Sequence, residues 1–200
     1  MSASSFAAGR AAPDAPPSRD APTRIAVVRA LLALAWAAAL LIAIGGQVPS
    51  TSSDLPTAAA LVLASYPAID VVASIATALG THAARRVLWI NAAISALAVA
   101  AVAATAFGAD AGATLVAFGA WAALSGTIQL GVAVHRRRAK GRQLPMIVSG
   151  GLSTVVGITF VASSGMHDAQ LTKVAGYMAL GALLYLLFAY RSRTAPRGTQ

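Results

Sequence analysis

The chain has 200 residues, 58% of them hydrophobic and only 10% charged, with a mean hydropathy of +0.71, whereas an average soluble protein is roughly 25% charged. A soluble domain of this size has no interior large enough for that much apolar surface, which excludes a cytosolic enzyme. Fifteen Lys+Arg against six Asp+Glu leave a charge of +9, and the lack of cysteine removes disulfides, thiolate metal sites, iron–sulfur clusters and cysteine nucleophiles together.

Residues 1–23 are Ala, Pro and Ser with scattered charges, too polar to fold alone, and read as a disordered cytoplasmic tail. A cleaved secretory signal is the competing reading. The tail ahead of the apolar stretch is long, however, and Ile44-Gly-Gly-Gln lacks a small-x-small cleavage site, so a retained first helix is expected. A spanning helix needs about 20 mostly apolar residues. Six segments qualify: Ile25–Ile44, Leu55–Leu79, Val87–Ala106, Ala113–Val134, Pro145–Ser163 and Val174–Tyr190. Strand barrels alternate polar and apolar residues in short segments and nothing here does, which leaves helices. Pro145 suits a first helical turn, where its missing N–H costs nothing. Short links make consecutive helices antiparallel neighbours. The expected fold is all-α: an integral membrane domain over residues 24–191, six transmembrane helices arranged as three repeated hairpins near 25–79, 87–134 and 145–190, followed by a basic tail at 192–200.

The positive charges set the orientation. Arg10, Arg19 and Arg24 precede the first helix; Arg85 and Arg86 lie in the second–third link; Arg136, Arg137, Arg138, Lys140 and Arg142 lie in the fourth–fifth; Arg191, Arg193 and Arg197 follow the last helix. The alternate links carry Asp54, Asp110 and Asp168, and no Lys or Arg apart from Lys173 at the edge of the last. Both termini are expected to be cytoplasmic. Loop charge of this kind accounts for the run His135-Arg-Arg-Arg-Ala-Lys-Gly-Arg. Contact of Arg136, Arg137 and Arg138 with anionic lipid is the alternative, and nucleic acid is not expected as a partner.

Hairpin starts near 25, 87 and 145 are 62 and 58 residues apart, and the second and third hairpins can be superposed as sequences. Asn91-Ala-Ala-Ile-Ser95 then matches Ser149-Gly-Gly-Leu-Ser153, while Gly126 and Arg136 fall on Gly181 and Arg191. Small residues at spacings of four form helix-packing faces: Ala92, Ala96, Ala100 and Ala104 on the third helix, Ala122 and Gly126 on the fourth, Ser149, Ser153 and Gly157 on the fifth. For the third helix, alanine richness alone explains the spacing. The stretches Phe118-Gly-Ala-Trp-Ala-Ala-Leu-Ser-Gly-Thr-Ile-Gln-Leu and Ile147-Val-Ser-Gly-Gly-Leu-Ser-Thr-Val-Val-Gly-Ile resemble the glycine-spaced hairpin repeats of HdeD-like membrane proteins, across roughly residues 25–191. That resemblance implies a bacterial inner-membrane protein associated with acid resistance and built from short repeats, with no mechanism to carry over to particular residues. The first hairpin departs from the pattern, with Ala30 and Ala37 at positions where glycine would be expected and with Tyr66-Pro-Ala-Ile-Asp70.

Polar groups inside a bilayer are costly, so their placement carries the functional evidence. Asp70 lies ten residues from Gly80, roughly 15 Å deep. Tyr66, Asp70, Ser74, Thr77 and Thr81 share one helix face, and Pro67 beside them cannot donate to the Leu63 carbonyl. Arg29, Asn91, Ser95, Ser125, Gln129, Ser149 and Ser153 fall in the same cytoplasmic halves, whereas 35–44, 98–106 and 113–123 are nearly devoid of hydrogen-bonding side chains. The pattern describes either a funnel open to the cytoplasm with Asp70 near its floor or a band of interhelical hydrogen bonds. In the structural reading Arg29 and Asp70 form a neutralising pair that charge exchange would preserve. In the sharper reading Asp70 titrates, carrying a proton or gating a cavity.

No enzyme is expected. The chain has no Glu, its histidines (His82, His135, His167) make no i, i+4 pair with a carboxylate, and no phosphate loop or serine elbow occurs. No cofactor or metal is implied, and Trp36, Trp89 and Trp121 read as packing or interface aromatics. The sequence therefore points to a non-enzymatic envelope protein. A small transporter or proton-conducting protein using Asp70 is the alternative, and a self-associating scaffold the second.

Overall fold

The structure, a computed structural model, describes residues 21–80, 84–140 and 144–194; the side chains of 21–22 and 137–140 lie outside it, as do the expected tail before residue 21, Thr81, His82 and the end of the chain after 194. Six helices run in order: α1 (Ala21–Ile44), α2 (Thr57–Leu79), α3 (Arg85–Gly108), α4 (Ala111–Lys140), α5 (Leu144–Ser163) and α6 (Leu171–Arg193). Each contains a stretch long and apolar enough to cross a bilayer. The chain is a multi-pass membrane protein.

Apart from α2, which starts at Thr57 rather than Leu55, the helices overrun the apolar segments read from the sequence. α1 begins at Ala21, inside the stretch read as tail, and α4 continues six residues past Val134, carrying His135 and Arg136 within the helix. Hydropathy marks only the part that needs hydrocarbon, and a helix stops where its backbone is broken. For α4 no glycine or proline intervenes between Val132 and Lys140. α1 ends at Gly45 and Gly46, whose φ of +57° and +76° place them in the left-handed region that glycine enters freely.

The apolar side chains are sorted by size. Leu31, Ile42, Val72, Leu97, Ile158 and Leu183 point outward, while the buried set is dominated by alanines such as Ala30, Ala59, Ala60, Ala122 and Ala182. Lipid is as apolar as leucine, so large aliphatics gain nothing by turning inward, and small residues let backbones approach. The helices close a ring in chain order, α6 packing back on α1. Its closest pairs are α4 with α5, α2 with α3 and α1 with α6; the contacts within the three expected hairpins are looser. The α4–α5 seam explains the difference. A Cβ on Gly126 would lie 2.7 Å from Ser153 Cβ, and one on Gly150 would lie 2.6 Å from the Leu130 backbone nitrogen. The ridge on α5 is therefore Gly150, Ser153 and Gly157, shifted from the predicted Ser149 stripe. On α3, Ala96, Ala100 and Ala104 face outward, and Asn91, Ser95, Ala98, Val102 and Ala106 face in.

The end of the ring bearing Asp54, Asp110 and Asp168 is sealed by its own loops. The 45–56 loop is stitched to the α5–α6 loop by Thr51 N–H to the His167 carbonyl (3.1 Å) and Ala169 N–H to that of Pro49 (2.8 Å). Gly112 N–H and Ala111 N–H donate to the carbonyls of Thr51 and Ser53, at 2.7 and 3.0 Å, tying the same loop to the start of α4. Asp110 Oδ1 caps α4 by accepting from Ala113 N–H at 2.7 Å. The opposite, basic end has no corresponding lattice among the described residues.

Candidate functional site

Asp70 is held on the inner face of α2, 4% exposed, nine residues from Leu79 at the basic end. Four donors from three other helices reach its carboxylate. Arg29 Nη2 of α1 meets Oδ1 at 2.5 Å. Asn91 Nδ2 and Ser95 Oγ of α3 meet Oδ2 at 2.6 and 2.7 Å, and Ser125 Oγ of α4 reaches the same oxygen at 3.1 Å. Asn91 Nδ2 also donates to Ser74 Oγ at 2.9 Å. Its amide orientation follows from the carboxylate, which accepts only from the NH2 side, and this leaves Asn91 Oδ1 buried without a partner. Trp121 Nε1 donates to Ser95 Oγ at 3.0 Å, completing a second layer.

The other side of Arg29 lies against α6, its guanidinium carbon 4.6 Å from the Tyr185 ring centroid, a cation–π distance. Tyr185 OH donates to Gln129 Oε1 at 3.0 Å. Ser153 of α5 shares a 2.7 Å hydrogen bond with Tyr177 OH of α6, and its hydroxyl lies 2.9 Å from the Ala122 carbonyl. All six helices are thus joined through one polar layer.

A cavity of about 50 Å³ lies within this layer, several times the roughly 10–15 Å³ that one water requires. Arg29, Asp70, Ser125, Gln129, Ser149, Ser153 and Tyr185 line it, with Tyr66, Trp121 and Tyr177. These last three belong to an aromatic cluster with Phe118 and Phe160, ring centroids 5.3–6.3 Å apart, which fills the ring toward the sealed end. The Arg29 side chain keeps 21% of its surface exposed against 6% for Asp70. Both a cavity and a hydrogen-bonded band are present, in the basic-end half of the ring.

Of the residues singled out in the sequence, Arg29, Asp70, Ser74, Asn91, Ser95 and Ser125 form the network, and Tyr66, Gln129, Ser149 and Ser153 line the cavity. Thr77 does not join them: its hydroxyl donates to its own helix at the Ala73 carbonyl, 2.7 Å, the usual fate of a threonine in a helix. Thr81 and the side chains of Arg137 and Arg138 lie outside the described residues; Arg136 is half-buried near the end of α4. Sequence reasoning missed Trp121, Tyr177 and Tyr185, and treated residues 113–123 as nearly free of hydrogen-bonding groups. Spacing carried the missing signal. Trp121 precedes Ser125 and Gln129 by four and eight residues, and Tyr177, Gly181 and Tyr185 are also four apart, so each trio shares one helix face. Compared with family models, curated proteins and solved structures, the chain matches none.

Proposed function

We propose that this chain is a non-enzymatic protein of a bacterial inner membrane, similar to the HdeD-like envelope proteins, in which the Arg29–Asp70 centre locks the six-helix ring. Both termini are cytoplasmic in this reading, a placement supported by the segregation of Lys and Arg, Lys173 excepted, to one end. The hairpin-to-hairpin similarity supports three related units around one axis. One observation carries the lock: the Asp70 carboxylate is met by four donors from α1, α3 and α4. Buried polar groups need partners, and here the partners come from helices that small residues alone would leave free to slide. Acid or envelope stress is the setting that the resemblance adds.

A second reading, a small transporter or proton-conducting protein, is favoured by the cavity, which reaches Asp70 in the basic-end half and stops at the aromatic cluster. One experiment separates the two: proton flux in liposomes for the wild type and Asp70→Asn, with thermal stability recorded for both. For the lock, flux is absent in both proteins and the variant melts earlier. Flux in the wild type that disappears in a variant still folded would replace the lock with transport.

A further inference from the structure

Arg29 gives the cavity a guanidinium, a group that only donates. Arg29 spends one nitrogen on Asp70, leaving its other N–H groups without a hydrogen-bond acceptor among the described residues, and Tyr66 and Ser149 line the same space. Gln129 Oε1 accepts from Tyr185, not from Arg29. A guest that engages Arg29 must bring acceptors. A planar carboxylate suits a guanidinium better than a spherical ion, because two parallel N–H groups can meet its two oxygens. The volume of about 50 Å³ limits it to one or two carbons.

Charge then dictates a second condition. Arg29 and Asp70 together are neutral, and a bare anion added to them would leave a net negative charge inside the bilayer, which is expensive. Neutrality returns if a proton enters with the anion. Asp70 offers a place for it: Oδ2 accepts three hydrogen bonds, whereas Oδ1 accepts only from Arg29. When the guanidinium turns from Oδ1 to the guest, that oxygen is free to take a proton from solvent. The titratable groups facing Asp70 are Arg29 of α1, Tyr66 on its own helix, and Tyr177 and Tyr185 of α6; the polar groups of α3, α4 and α5 there, Asn91, Ser95, Trp121, Ser125, Gln129, Ser149 and Ser153, carry no charge.

We infer that the cavity is a binding site for a small monocarboxylate, formate or acetate in size, taken up together with one proton, the anion on Arg29 and the proton on Asp70 Oδ1. The inference rests on the transport reading, that the cavity admits a guest. Its test is equilibrium binding of radiolabelled acetate to the full chain in nanodiscs, with empty nanodiscs as blank, at pH values above about 6, where a simple carboxylate is ionised. Uptake of one proton per anion makes the affinity fall tenfold for each pH unit gained, by linkage, and an equal concentration of chloride leaves acetate in place. Asp70→Asn, neutral at position 70, binds at high pH with the slope abolished. Gly181 lines the cavity, and a Cβ built there meets nothing within 4 Å; Gly181→Leu fills the space and weakens binding tenfold or more at a melting temperature no lower than the wild type's. The wild-type slope needs no variant to fold. Acetate binding that is absent, independent of pH or retained in a folded Arg29→Gln overturns the inference. Proton flux that persists without any acetate binding would overturn it too, while leaving the transport reading standing.

Discussion

The cost of removing one member of the central pair depends on what remains. Arg29→Gln leaves a carboxylate 4% exposed with its charge uncompensated, a defect worth about 3–5 kcal/mol. The double variant with Asp70→Asn removes both charges and leaves an amide among donors, so it is expected to be less destabilised than the two single variants summed, with a coupling of about 1–3 kcal/mol. Chemical unfolding in detergent measures all three, and simple additivity would mean the two residues do not act as a pair. Charge exchange, by contrast, is not expected to restore the pair. The shell around position 70 is built from Asn91, Ser95 and Ser125 at 2.6–3.1 Å, a fit for a carboxylate on a short stem and too tight for a guanidinium on a long one. Trp121→Phe tests the second layer: losing the 3.0 Å bond to Ser95 should lower stability by about 1 kcal/mol, read as a lower melting temperature. Much of this site was legible in the sequence because a charge deep in a membrane segment demands a partner, and depth follows from counting residues. The aromatics were legible only as a shared helix face, not as members of the site. Tryptophan and tyrosine are ordinary in membrane helices, and only the facing of α4 and α6, fixed by tertiary packing, turns Trp121, Tyr177 and Tyr185 inward.

At the level of helices the closest seam is set by glycines rather than by leucines. On α4, Gly119 and Gly126 are seven apart, as are Gly150 and Gly157 on α5, the repeat that keeps one face turned to a partner. Gly126→Ala would place a methyl 2.7 Å from Ser153 Cβ and Thr154 N, and the forced separation should cost about 1–3 kcal/mol. Gly131→Ala on the same helix meets nothing within 4 Å and should be neutral or stabilising by up to about 1 kcal/mol. Melting the two variants side by side separates packing from helix propensity, and equal effects would discard the seam. Helix number and order were readable from hydropathy, since each apolar run has only one way to satisfy its backbone in lipid. Which neighbours pack closest was not, because short links predict adjacency within a hairpin and say nothing of the ring closing through α6 and α1.

Across the whole molecule the asymmetry has two parts, charge and closure, and they coincide. The end with Asp54, Asp110 and Asp168 is laced shut by loop hydrogen bonds, while the cavity and its arginine belong to the basic half. If the positive charges orient the chain as they do in other membrane proteins, the sealed end faces away from the cytoplasm. Labelling settles the orientation, and the absence of native cysteine gives it a clean background. Ser52 and Thr194 are both exposed, one in the sealed-end loop and one just past α6. An impermeant maleimide is expected to label Ser52→Cys in intact cells stripped of their outer envelope, and Thr194→Cys only once the membrane is opened. The reverse pattern would invert the molecule and turn the cavity outward. With the expected pattern, any guest or proton that reaches Asp70 does so from the cytoplasm, and passage to the other side requires the aromatic cluster around Phe118 to part.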